Sequence, residues 1–223
     1  MERLDKIIVS QTEYSRKQVK ELIKQRKITV NGEIITKSDI KIDGIKINVK
    51  KYIYLVLNKP KGYISATEDR SQQIVLDLVP SEYLHRELFP VGRLDKDTTG
   101  LMIITDDGEF SHNILSPKKH IKKTYNVTID TQMTEEMAEG FKDGVVLNDG
   151  ECKEAILEIT GKNTGIVTLT EGRYHQIKRM FGCYGAKVTE LQRIAMGNLI
   201  LPDDLELGQC RELTEEELEK IKG

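Results

Sequence analysis

Gly92-Arg93-Leu94-Asp95-Lys96-Asp97-Thr98-Thr99-Gly100 runs without a break into Leu101-Met102-Ile103-Ile104. A charged turn bounded by glycines is followed at once by a continuous apolar run, the pattern of a buried strand. Whatever the chain folds into must therefore hold an acidic loop against the edge of its core. Asp95 lies between Arg93 and Lys96, where a carboxylate can be kept ionised and fixed, and it is the candidate nucleophile. Taken alone, a turn or capping aspartate is the commoner use of such a residue. Arg3-Leu4-Asp5-Lys6 repeats the letters of Arg93-Leu94-Asp95-Lys96 without the glycine, the turn or the apolar strand, so the context carries the signal.

Composition narrows the class. With 223 residues, 38% hydrophobic and 31% charged, the chain suits an ordered, soluble protein with one core or a core and a small appendage. No apolar run is long enough to cross a bilayer, and no apolar signal region opens the chain, so the expected location is the cytoplasm. Cys152, Cys183 and Cys210 are odd in number and widely spaced, which reads as reduced thiols. The net charge of -2 conceals an asymmetry: residues 1–51 carry thirteen Lys or Arg against seven Asp or Glu, a local +6, and the remainder carries 21 against 29. A basic module on an acidic body is one arrangement for binding nucleic acid; a solvated charged surface is the plainer one.

Spacing decides between them. Ser15-Arg16-Lys17-Gln18 has the form of a capping box, and Val19, Leu22 and Ile23 follow at helical spacing as core candidates. Arg16, Lys20, Lys24 and Lys27 then share the opposite face as a basic stripe about 16 Å long, suited to a phosphate backbone. A hairpin is expected next, from Ile28-Thr29-Val30 through Asn31-Gly32 to Glu33-Ile34-Ile35, followed by a strand alternating at Ile45, Ile47 and Val49. A basic helix leading into such a hairpin resembles an S4 RNA-binding domain, which implies contact with structured RNA and places a domain at residues 1–50, with a second at 51–223.

The second segment opens on Leu55-Val56-Leu57-Asn58-Lys59-Pro60-Lys61-Gly62, a strand ended by a turn bearing two lysines. Further strands are expected at Leu101–Thr105, Lys123–Ile129, Ala155–Ile159 and Gly165–Thr170, and helices near Glu109–Leu115, Thr134–Gly140 and His175–Gly182. Their interleaving argues for an α+β fold around a mixed or antiparallel sheet. Leu213-Thr214-Glu215-Glu216-Glu217-Leu218 reads as the capped start of an acidic helix.

Two further clusters can carry chemistry. In Glu171-Gly172-Arg173-Tyr174-His175-Gln176-Ile177-Lys178-Arg179-Met180, either Lys178 or Arg173 could reach a carboxylate and hold it ionised. In Lys118-Lys119-His120-Ile121-Lys122-Lys123-Thr124-Tyr125, lysines can neutralise phosphates and Tyr125 offers a ring for base stacking. Signatures of other chemistries are missing: no Walker-type loop, no Gly-x-Gly-x-x-Gly, no Gly-x-Ser-x-Gly and no His-Glu-x-x-His occurs. His85, His112, His120 and His175 have no metal-ligand spacing. A magnesium site at Asp95-x-Asp97 and Asp106-Asp107 would face the opposing charges of Arg93 and Lys96.

The clusters in this order resemble the pseudouridine synthases, specifically the RsuA-like family of small-subunit rRNA enzymes and their large-subunit relatives. The resemblance covers the S4-like segment, the Asn58-Lys59-Pro60 turn, Val91 to Asp95, Lys123-Thr124-Tyr125 and Glu171 to Met180. It implies an S4 domain followed by a catalytic domain with a mixed, largely antiparallel sheet and flanking helices. It also implies that Asp95 is the catalytic carboxylate of uridine isomerisation, Tyr125 the ring against the target base, and Lys178, a position where the family carries Arg or Lys, the cation paired with Asp95. Arg93 matches an arginine that helps hold the RNA; Arg173 stays a second candidate for the pairing. Arg16, Lys20, Lys24, Lys27, Lys59, Lys61, Lys118, Lys119 and Lys122 are the expected RNA contacts, with no cofactor and no metal.

The expected substrate is one uridine of 16S rRNA, acted on by a monomer. An S4 segment combined with a short acidic end favours 16S, because large-subunit relatives often lack the former or carry a long basic extension. The alternatives are a 23S rRNA synthase and a noncatalytic ribosome-assembly factor.

Overall fold

In the computed structural model, residues 4–24, 28–30, 39–42, 45–48, 50–116 and 119–222 are described. The N-terminal module comprises α1 (Leu4–Gln11), α2 (Arg16–Lys24), β1 (Ile28–Val30), β2 (Asp39–Ile42) and β3 (Ile45–Asn48). Helix α2 starts as expected: the Ser15 hydroxyl accepts from Gln18 N at 3.3 Å, and Ser15 N donates to Gln18 Oε1 at 2.8 Å. These bonds satisfy backbone groups that a helix start otherwise leaves open. Val19 is fully buried, whereas Ile23, expected in the core, is 38% exposed. The apolar stripe is thus buried at Val19, half-buried at Leu22 and open at Ile23. Strand β1 pairs antiparallel with β2, Val30 opposite Ile40, and β2 pairs with β3; the anticipated turn and return strand over 31–35 lie outside the described residues.

The body contains β4 (Tyr54–Lys59), β5 (Phe89–Pro90), β6 (Thr99–Thr105), α3 (Gly108–Leu115), β7 (Lys123–Ile129), α4 (Glu135–Asp143), β8 (Val146–Leu147), β9 (Gly150–Glu151), β10 (Ile156–Ile159), β11 (Thr164–Leu169), α5 (Gln176–Gly182), β12 (Val188–Met196), β13 (Leu199–Ile200), β14 (Cys210–Glu212) and α6 (Glu215–Lys222). Its nine-stranded sheet has the order β10-β11-β7-β12-β6-β4-β14, with β13 on β12 and β5 on β6. Neighbours run antiparallel except β12 and β6, which are parallel with Gln192 opposite Thr99 and Arg193 opposite Gly100. The fold is the mixed, largely antiparallel α+β arrangement with flanking helices.

Two cores explain why β4 and β6 read as continuous apolar runs. On one face Leu55, Leu57, Met102, Ile104 and Val127 pack with Met137 and Phe141 of α4 and Ile177, Met180 and Phe181 of α5. On the other, Val56, Leu101 and Ile103 pack with Phe110 and Ile114 of α3 and Ile221 of α6. Each such side chain contributes about 1.5–3 kcal/mol by leaving water. The acidic end is therefore a docked helix, capped by Thr214, whose hydroxyl accepts from Glu217 N at 3.2 Å.

Arg86 ties the module to the body. Its guanidinium pairs with Asp106 at 2.5 Å and donates to Ser10 O at 3.1 Å and Lys51 O at 2.8 Å. His85 Nε2 lies 2.7 Å from the same Ser10 carbonyl.

Candidate active site

The Asp95 loop connects β5 to β6 and is held from beneath. Leu94 is buried, and its backbone exchanges two bonds with the Ser65 hydroxyl, N to Oγ at 2.9 Å and Oγ to O at 2.7 Å. Gly62 N donates to Lys96 O at 2.8 Å. Lys59 supplies the rest: its Nζ donates to Asp95 O at 3.0 Å, Thr98 O at 2.8 Å and Pro60 O at 3.2 Å. Lys59 is fully buried. This corrects its expected role, since an ammonium enclosed among carbonyls and out of water's reach cannot meet a phosphate. Burial pushes its pKa from 10.5 down to about 8, against the opposing pull of Asp97 and Asp95.

Above this base the Asp95 carboxylate faces α5. Lys178 Nζ lies 2.9 Å from Asp95 Oδ2 and 2.6 Å from Asp97 Oδ1. Burial alone would lower the Lys178 pKa, but its bonds to Asp97 and Asp95 outweigh this and hold it above the ordinary value. Asp97 moves the other way: partial burial raises its pKa, and the Lys178 bond and charge bring it below normal. His175 Nε2 approaches Asp95 Oδ1 at 3.4 Å. That histidine begins α5 in the left-handed region, φ 48° and ψ 34°, a conformation few non-glycine residues adopt. It also stacks on Tyr174, ring centroids 3.9 Å apart, and Tyr174 is 75% exposed at the rim.

Tyr125 is buried on β7, facing the core side of the sheet. Asp95, Lys178, Tyr125, His175 and Arg93 line one cleft of about 830 Å³. Arg93 is exposed there. The geometry thus collects the expected carboxylate, cation and ring, and adds three residues not assigned from sequence: His175, Asp97 and Ser65.

Other expected contacts separate. Arg173 also lines the cleft, but its guanidinium is spent on the β8–β9 turn: 2.6 Å from Asp149, 3.0 Å from Gly150 O and 3.0 Å from Glu151 O. Arg179 joins the same Asp149. Among the two cations proposed to hold Asp95, it is Lys178 that does so, and Arg173 braces the turn. Lys61 pairs with Glu190 at 2.6 Å and lines a separate groove with Asn126 and Thr128, side chains on the face of β7 opposite Tyr125. Arg16, Lys20, Lys119 and Lys122 are exposed. Lys24 ends α2, and Lys27 and Lys118 lie outside the described residues.

Comparison with known proteins agrees with this layout. Residues 53–182 match the RNA pseudouridylate synthase family, and residues 2–44 match the S4 domain. The uncharacterized RNA pseudouridine synthase YtzG of Bacillus subtilis (strain 168) is 40% identical over 97% of this chain and 96% of its own length. Ribosomal small subunit pseudouridine synthase A of Escherichia coli (strain K12) is 40% identical over 98% of this chain and 99% of its own. A solved pseudouridylate synthase structure superposes with a TM-score of 0.73 at 36% identity, covering 99% of this chain and 100% of the other.

Proposed function

Because the chain belongs to the RNA pseudouridylate synthase family and carries an S4 domain, we propose that it isomerises one uridine of 16S ribosomal RNA to pseudouridine, with Asp95 as the reacting carboxylate. The observation that carries the residue assignment is the meeting of Asp95, Lys178 and Tyr125 in one cleft. The 16S target is supported by the full-length similarity to a relative named for the small subunit.

The reaction breaks the N1–C1′ bond, turns the uracil and joins C5 to C1′; C5 gives up a proton and N1 takes one, with no net redox change. An ionised carboxylate starts it by attacking C1′, by adding to C6 or by taking the C2′ proton to leave a glycal. All three require Asp95 charged, and Lys178 faces it as a cation at 2.9 Å. The target base must leave its stack at a cost of a few kcal/mol, which a ring such as Tyr125 and the surrounding cations offset. In this reading residues 1–50 bind structured RNA through Arg16, Lys20 and their neighbours, residues 51–223 form the catalytic domain, and Arg93, Lys119 and Lys122 guide the strand into the cleft. A monomer working in the cytoplasm satisfies every part of it.

The Asp95→Asn variant tests the chemistry: rRNA binding persists and pseudouridine formation stops. Full activity in that variant removes Asp95 from the mechanism. Mapping pseudouridines in rRNA from cells lacking the protein tests the target, and an unchanged 16S profile with a missing 23S site refutes it.

A further inference from the structure

Arg193 is a buried cation with no counter-charge at ion-pair distance among the described residues. It lies on β12, opposite Tyr125 of β7 and Gly100 of β6. Directly opposed residues on neighbouring strands project to the same face, so its side chain leaves the sheet beside the Tyr125 ring, and both line the cleft. Arg193 is 2% exposed. Its Nε donates to Leu101 O at 2.7 Å, but its Nη2 is buried without a hydrogen-bond partner. No carboxylate lies within ion-pair distance of it among the described residues; Asp95 and Asp97 are both engaged by Lys178. Lys59 and Lys123 are buried near it, and their pKa values are lowered by burial and further by the Arg193 charge.

An arginine used only for packing is expected to be paired, because burying an uncompensated guanidinium costs several kcal/mol. Here the negative charge must arrive with the substrate. Phosphates stay with the strand at the rim, where Arg93 and Lys96 line the cleft and are exposed. What enters to the depth of Tyr125 is the base. We infer that Arg193 binds a carbonyl oxygen of the extruded uracil and stabilises the negative charge on the base while it is detached from the ribose. When N1–C1′ breaks, both bonding electrons go to the uracil, which becomes an anion delocalised over N1, O2 and O4. That charge disappears once C5 has joined C1′, the C5 proton has left and N1 has been protonated. A donor in a site closed to water holds such a transient charge more strongly than water does.

This inference rests on the uridine isomerisation proposed above, and the test separates the two. Single-turnover rates are measured for wild type, Arg193→Met and Arg193→Lys on 16S transcripts made with uridine or with 5-fluorouridine, counting the C-nucleoside released by nuclease digestion; on 5-fluorouridine, which has no C5 proton to lose, this is the carbon-linked product that keeps its fluorine and has added water at C6. Fluorine at C5 stabilises the detached base anion by itself. Arg193→Met therefore loses about 10²–10³-fold in rate on uridine, the usual effect of removing one such donor, and at least about tenfold less on 5-fluorouridine, while Kd for the RNA changes little; Arg193→Lys recovers part of the rate. Equal losses on the two transcripts, or a loss confined to Kd, overturn the role of Arg193. If Arg193→Met does not fold by circular dichroism, Arg193→Lys carries the same two-substrate comparison. A wild type active on 23S transcripts alone refutes the 16S target and leaves the Arg193 comparison to be read on 23S. A wild type that converts neither transcript refutes both.

Discussion

The ammonium of Lys59 is 3.0 Å from the backbone carbonyl oxygen of Asp95. A fully buried lysine thus fixes the loop that presents the Asp95 carboxylate, and burial lowers its pKa to about 8. Between pH 8 and 10.5 the unfolded chain keeps a proton that the folded protein has lost, so unfolding free energy rises with pH across that window. The contribution is fully present above 10.5 and is lost as pH falls through 8. In urea unfolding, the stability of wild type relative to Lys59→Met grows toward high pH by on the order of 3 kcal/mol. A difference that stays flat contradicts the buried, depressed ammonium.

Lys178 serves two carboxylates, Asp97 at 2.6 Å and Asp95 at 2.9 Å. Removing the cation leaves the Asp97 carboxylate without the bond that holds its pKa down and the Asp95 carboxylate without the group that fixes it in place. Lys178→Met therefore lowers the single-turnover rate by about 10²-fold, the usual effect of misplacing a reacting group, and Lys178→Arg recovers most of it. Asp97→Asn leaves Lys178 on Asp95 and costs less than about tenfold. A Lys178→Met rate equal to wild type, or a larger loss in Asp97→Asn, contradicts the pairing of Lys178 with Asp95.

The parts of this site legible in the sequence were those written in contiguous residues. The apolar run after Gly100 announced β6, the alternation over Lys123 to Ile129 matched β7 to the residue, and the capping box at Ser15 placed α2. Strand β12 is not legible in the sequence although it occupies the middle of the sheet, between β7 and β6. Its Val188 to Met196 sequence carries Glu190, Gln192 and Arg193, and Arg193 falls on a buried position, which breaks the alternation a half-buried strand shows. The burial of Lys59 is hidden for a related reason: a lysine beside a Pro/Gly turn reads as surface, and only the tertiary fold brings the carbonyls of Asp95 and Thr98 to it. Arg173 and Lys178 could not be ranked from spacing, because the choice depends on Asp149, which lies on a separate turn.

Tyr174 stacks on His175 and leaves most of its ring in solvent at the mouth of the cleft. A nucleotide beside the extruded uridine can stack on the open face, worth about 1–3 kcal/mol per base. Tyr174→Ala raises Kd for the rRNA by about tenfold with little change in the single-turnover rate at saturation, whereas Tyr174→Phe behaves as wild type. A rate defect with unchanged Kd would place the ring in the chemistry instead.

Gly100 sets the distance between the two strands that carry the cleft. The Asp97-Thr98-Thr99-Gly100 segment reads as a turn, yet Thr99 and Gly100 already belong to β6 and pair in parallel with Gln192 and Arg193. Gly100 has φ +99°, and a Cβ there would lie 2.2 Å from Arg193 O and 2.9 Å from Arg193 N. Neither obstacle is the flexible end of a side chain, so the substitution forces β12 and β6 apart in addition to its backbone strain of about 1–3 kcal/mol. Gly100→Ala is expected to cost on the order of 3 kcal/mol or more, lowering Tm by about 10 °C for a chain of this size. Separation of these strands also displaces Arg193 relative to Asp95, so the folded fraction of Gly100→Ala loses isomerisation rate as well as stability. Thermal unfolding and single-turnover kinetics on the same preparation check both, and a variant with wild-type Tm excludes the close approach of β6 to β12 as the reason for the glycine.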